Sequence, residues 1–183
     1  MKFKKCSSES VYDGRIVKLS LDEVEMPDGK RRRMEMIRHP GAAAIVPIMR
    51  RGAQRVVLFV RQYRYATGDW LLEIPAGTLD PGEQPLRCAY REVEEETGYR
   101  AAKMETLGSV WTTPGFTDER IELFLASGLE KGEQNLDGDE FLDVVEVPFD
   151  EAMTMAEDGT LQDAKSICAL FRAAARLDRE SVL

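Results

Sequence analysis

Along residues 16–38, apolar and polar side chains alternate. Val17, Leu19 and Leu21 mark a period-2 run, and Met34 and Met36 repeat it on the return. Pro27-Asp28-Gly29-Lys30 lies between the runs as a turn, so the pattern predicts a β-hairpin. His39-Pro40-Gly41 then breaks the chain. Apolar runs at 43–49 (AAIVPIM) and 55–61 (RVVLFVR) read as buried strands joined through Arg51-Gly52, and Leu71 to Ile74 as a short strand entering a turn-rich loop at 75–83.

From Pro85 the period changes to that of a helix. Leu86, Tyr90, Val93 and Thr97 fall on one side of it, Pro85 suits its first turn, and Gly98 suits the position just past its end. Three glutamates then lie roughly opposite, facing a cleft while the apolar side packs on a sheet. Strands are expected near 104–112, 120–126 and 142–148. Asp150 can cap a short helix at 150–157. A helix at 162–178 carries Ala164, Ile167, Leu170, Phe171 and Ala174 in amphipathic register. Strands followed by two late helices predict an α/β sandwich with a mixed sheet, preceded by a small N-terminal β unit over 1–40. The main domain is expected over 41–183. The chain has no internal repeat.

The helix at 85–97 carries chemistry. Glu92, Glu95 and Glu96 crowd one face, where like charges repel by about 0.2–0.5 kcal/mol per pair. A hard divalent cation reverses that penalty, because Mg²⁺ is held by one or two carboxylates together with substrate phosphates. Composition narrows the partners. A net charge of −8 excludes a nucleic-acid binder that relies on a basic surface, and an anionic substrate would be repelled at the glutamates without metal. Cys6, Cys88 and Cys168 form neither a disulfide framework nor a zinc spacing, so reduced cytosolic thiols are expected. His39 is the single histidine, at a strand end beside Pro40, where a structural role is expected; a multi-histidine metal site is excluded. No apolar run reaches about 18 residues, and MKFKK lacks the apolar segment of a signal peptide. A cytoplasmic location, without membrane or nucleic-acid partners, follows as the expectation.

Gly77, Glu83, Arg91-Glu92, Val93, Glu95-Glu96, Gly98 and Tyr99 together resemble the signature of the Nudix hydrolases over 77–99. The resemblance implies an α/β/α sandwich and hydrolysis of a nucleoside diphosphate linked to another group. It implies Glu92 and Glu96 as direct metal ligands, Glu95 on a second ion or acting through water, and the Ala76 carbonyl as a further ligand. Two or three Mg²⁺ ions, with Mn²⁺ as an alternative, are implied. Arg91 lies one turn before Glu95 and can orient it. Glu83 is placed to stabilise the helix N-terminus and to reach the metal cluster. Cys88 falls between Glu92 and Glu95 as a space-filling residue.

Three further stretches resemble the ADP-ribose pyrophosphatase subgroup. In Arg61-Gln62-Tyr63-Arg64 followed by Glu73-Ile74-Pro75-Ala76-Gly77, Arg61, Arg64 and Glu73 are implied to meet substrate, a guanidinium fork suiting a diphosphate. Pro114, in Thr113-Pro114-Gly115-Phe116, resembles the mark of ADP-ribose specificity. In Asp137-Gly138-Asp139-Glu140-Phe141 a general base is implied, Glu140 first and Asp139 second. Arg32 can reach substrate from the hairpin. Trp70 and Trp111 could stack a base, though core positions are the stronger expectation; Tyr12 and Phe3 are the other aromatic candidates. The implied reaction is ADP-ribose plus water giving AMP and ribose 5-phosphate. The rivals are hydrolysis of GDP-mannose, UDP-glucose or NADH, and a catalytically silent nucleotide-binding module. A homodimer through the N-terminal hairpin is implied as well, since a two-stranded sheet alone is marginal in water.

Overall fold

The computed structural model describes residues 2–136, 138 and 141–180. The chain forms two compact units. One comprises Met1–Gly41 and Trp111–Arg120; the other comprises Ala42–Val110 and Ile121–Leu183. The first unit thus takes in a segment that the sequence assigns to the main domain.

In the first unit, β1 (Lys4–Asp13), β2 (Lys18–Glu25) and β3 (Arg31–Arg38) form an antiparallel sheet in that order. The expected turn is present: Gly29 donates to the Met26 carbonyl at 2.9 Å with φ of 80°. The buried row of β2 is Ser20, Asp22 and Val24, not Val17, Leu19 and Leu21. Asp22 tolerates burial because Ser8 donates to it at 2.5 Å and Arg38 and Lys5 supply positive charge. These partners, Ser8 first, outweigh burial and hold its carboxyl below the usual range. Segment 111–120 is tied to β3. Ile37 donates to Phe116 at 2.7 Å, and Asp118 accepts from Arg38 at 3.0 Å and from the His39 amide at 2.8 Å.

In the second unit, β4 (Ala42–Arg51), β5 (Gln54–Arg64), β6 (Asp69–Glu73), β7 (Ala76–Thr78), β8 (Tyr99–Trp111), β9 (Arg120–Lys131) and β10 (Leu142–Pro148) build a mixed sheet. Its order is β10-β5-β4-β9-β8, with β6 on β5 and β7 on β4. β4 runs parallel to β9 from Ala42↔Ile121 to Pro47↔Ala126, and its other edge pairs first with β7 and then, from Ile48, with β5. Pro47, which has no N–H to donate, sits at this change of partner.

The helices are α1 (Pro85–Thr97), α2 (Phe149–Asp158) and α3 (Ala164–Glu180). β4 is buried on both faces, and its side chains sort by period 2. Ala43 and Ile45 pack with Cys88, Ala89 and Val93 of α1; Ala42, Ala44, Val46 and Ile48 pack with Ala152, Leu170 and Ala173 of α2 and α3. That is the α/β/α sandwich expected from the sequence. Asp150 is not the cap of α2: Pro148 holds that position without a side-chain bond, and Asp150 lies in the first turn. Among the described residues no helix is long and apolar enough to cross a membrane.

Candidate active site

α1 begins as the sequence predicts, with Pro85 in its first turn, and ends at Gly98, whose φ of 72° lets its amide close on the Glu94 carbonyl at 2.8 Å. Its rotation differs from the expectation. Leu86 and Tyr90 are exposed, while Cys88, Ala89, Glu92, Val93, Glu96 and Thr97 are buried. Rows 88-92-96 and 89-93-97 lie side by side on a helix. The carboxylate row therefore shares the packed face rather than opposing it.

Buried carboxylates need partners, and β7 with Arg91 supplies them. The Ala76 amide donates to Glu96 at 3.1 Å. Gly77 passes so near Glu92 that a Cβ there would lie 1.7 Å from Oε1. Arg91 binds three acids at once. Its Nε and Nη2 fork onto Glu83 at 3.0 and 2.9 Å, and its Nη1 donates to Glu92 at 2.6 Å and to Glu95 at 2.9 Å. Glu83 also accepts from the Asp80 amide at 3.0 Å, so it holds the loop and Arg91 rather than capping the helix. The Arg91 fork, then the Asp80 amide, brings the Glu83 carboxyl down to about 2. Cys88 donates weakly to the Gly77 carbonyl at 3.6 Å; burial first, then the charge of Glu92, pushes its thiol up to about 12. It stays protonated and fills space.

A second cluster lies at the end of β6. Glu73 is 2% exposed. Arg64 forks onto it at 2.6 and 2.8 Å, and Lys165, near the start of α3, donates to the same carboxylate. Burial would raise the Glu73 carboxyl, but Arg64 and Lys165 outweigh it and hold it low. Arg64 also feels the charges of Glu96 and Asp163, which links this cluster to α1. Lys165, Asp163 and Ser166 are polar residues that the apolar register of the helix passes over. The signal for them is Asp163 standing just before α3, where it accepts from the Ser166 amide at 3.1 Å.

Arg61 goes elsewhere, onto Asp143 at 2.7 Å and 5.6 Å over the Trp70 ring. Trp70 and Trp111 are 49% and 57% exposed, against the expectation of core. Arg32 and Pro114 belong to the first unit. Glu140, Asp139 and Asp137 lie outside the described residues.

The donor set suits a hard cation: three carboxylates within one helical turn and a half, offset by the single guanidinium of Arg91. Among the described residues no group of three or more His, Cys, Asp or Glu side chains is placed to hold a metal ion on its own.

Residues 38–170 match the NUDIX domain family, and residues 3–32 match the nucleoside diphosphate sugar hydrolase N-terminal domain. The chain is 43% identical over 169 residues to the methanol dehydrogenase activator of Bacillus methanolicus, covering 91% of this chain and 90% of that protein. It is 38% identical over 169 residues to the ADP-ribose pyrophosphatase of Bacillus subtilis (strain 168), with the same coverage of 91% and 90%. A crystal structure of an ADP compounds hydrolase superposes with a TM-score of 0.87 at 26% identity, covering 100% of this chain and 98% of that one.

Proposed function

Because the chain belongs to the Nudix family, we propose that it hydrolyses the diphosphate of ADP-ribose to AMP and ribose 5-phosphate, using Mg²⁺ or Mn²⁺. The observation that supports this most is the three-acid grip of Arg91, with Arg64 forked on Glu73 within reach of the charge of Glu96. A relative named for this activity, matched over 90% of its length, adds to it.

Glu92, Glu95, Glu96 and the Ala76 carbonyl would hold two or three ions. Bound there, the cation supplies Lewis acidity toward the diphosphate oxygens and the attacking water. Arg91 fixes the rotamers of Glu92 and Glu95, so their oxygens need no reordering when substrate arrives. Arg64 offers its guanidinium to the diphosphate, Glu73 lies beside it in the substrate site, and Arg61, Pro114 and Arg32 are assigned to the rest of the substrate. Water attacks one phosphorus and the bond to the bridging oxygen breaks. Glu140, or Asp139 in its place, takes the proton from the water.

The reading includes a homodimer through β1–β3. Val11, Tyr12, Ile16, Val17 and Met34 are exposed there and offer apolar side chains to a second copy. Three unpaired cysteines fit a reducing, cytoplasmic setting.

The test is turnover with Mg²⁺ across ADP-ribose, GDP-mannose, UDP-glucose, NADH and dGTP, with products resolved by chromatography. ADP-ribose should give the highest kcat/KM, with AMP and ribose 5-phosphate in equal amounts. Preference for GDP-mannose would replace the substrate. Tight binding with no turnover of any compound would replace the enzyme with a silent binding module.

A further inference from the structure

The cluster around Glu73 carries a role for Lys165 that the reaction alone does not assign. Glu73 and Asp163 face two cations, Arg64 and Lys165, so the group is neutral as it stands. Its two cations are unequal. The Lys165 side chain is 13% exposed and also sits 3.0 Å from Asp163, whereas that of Arg64 is 43% exposed. Asp163 is itself fixed by the Ser166 amide and hydroxyl, and the Ser166 hydroxyl accepts from the Ile74 amide at 2.8 Å. Lys165 is therefore locked to the sheet, and Arg64 is the member free to swing outward.

An arginine that serves a substrate phosphate must leave Glu73. Stripping the last cation from a buried carboxylate is strongly unfavourable, because it leaves an uncompensated charge out of water. With Lys165 in place Glu73 keeps a cation, and the exchange becomes accessible. We propose that Lys165 is a positioning residue: by neutralising buried Glu73 it releases Arg64 to bind the diphosphate of the substrate. This rests on the reading of Arg64 as a phosphate ligand. Without Lys165, Glu73 competes with substrate for Arg64, so the loss falls on binding rather than on chemistry.

The test measures KM and kcat for ADP-ribose with saturating Mg²⁺ in Lys165→Met, Lys165→Gln and Lys165→Arg, each also in a Glu73→Gln background. In the native background Lys165→Met and Lys165→Gln should raise KM about tenfold with kcat within about twofold, the pattern of lost uniform binding. Lys165→Arg should restore KM. In the Glu73→Gln background the Lys165 substitutions should add nothing, because no carboxylate recaptures Arg64. Wild-type KM in Lys165→Gln, or an equal KM rise in both backgrounds, would overturn the proposal alone. No wild-type turnover, or Arg64→Ala with wild-type KM, would overturn the reading beneath it and the proposal too.

Discussion

Gly77→Ala probes the site at its tightest point. The new Cβ would lie 1.7 Å from Glu92 Oε1 and 1.9 Å from its Cδ. Ordinary contact begins near 3.4 Å, so the carboxylate must retreat by about 1.7 Å or β7 must give way. A retreat of the carboxylate breaks the 2.6 Å bond from Arg91 to Glu92, and a shift of β7 pulls the Ala76 amide from Glu96. Overpacking of this kind costs about 1–3 kcal/mol. For a chain of this size each kcal/mol lowers Tm by about 2–4 °C, so a drop of about 2–12 °C is expected. The kinetic effect should be larger, since a misplacement of about 1 Å in a catalytic constellation costs about a hundredfold in kcat/KM. Thermal unfolding and steady-state turnover of ADP-ribose measure the two. The decisive arm is a double-mutant cycle with Glu92→Ala. Once the carboxylate is gone, the three contacts of 2.5 Å or less at position 77 go with it, and the stability cost of alanine there should fall below about 0.5 kcal/mol. An equal cost in both backgrounds would show that the clash with Glu92 is not what glycine relieves.

Three further outcomes follow from the same contacts. The folded Glu83 carboxyl lies at about 2, below its ordinary 4.5, so its stabilisation is complete above pH 4.5 and lost as pH falls toward 2. Glu83→Gln should therefore be less stable than wild type by on the order of 1 kcal/mol near neutrality, with the gap closing in urea titrations taken toward pH 2; a constant gap would contradict the pairing. Ser166→Ala removes the acceptor of the buried Ile74 amide and should cost about 1–3 kcal/mol in urea unfolding; an unchanged midpoint would show another acceptor there. Sedimentation at micromolar concentration should give a dimer, and replacing Val11 and Tyr12 by lysine should give a monomer; a monomeric wild type would remove the dimer through β1–β3.

What the sequence made legible divides by physical cause. Long apolar runs and punctuated helices were readable: β4 and β5 contain the predicted runs 43–49 and 55–61 and extend past them, and α1 has its predicted ends because Pro85 and Gly98 act locally. β1 (KKCSSESVYD) was not, because it is exposed throughout and has no alternation to read. The covered face of β2 does not follow from its alternation, because Asp22 is buried with its own cations, a compensation that periodicity does not register. The rotation of α1 was missed for the same reason: Arg91, the Ala76 amide and bare Gly77 make room for Glu92 and Glu96 on the packed side. The signature of 77–99 located the acids. The Glu73–Lys165 pair joins residues 92 positions apart and has no local signature.

The central claim is that the α1 carboxylates take up a divalent cation. Mn²⁺ titrated into the protein and followed by electron paramagnetic resonance tests it without relying on turnover. Wild type should bind Mn²⁺, and Glu92→Gln and Glu96→Gln should each bind about tenfold or more weakly while keeping a cooperative urea transition. Equal Mn²⁺ binding by wild type and both variants would contradict it.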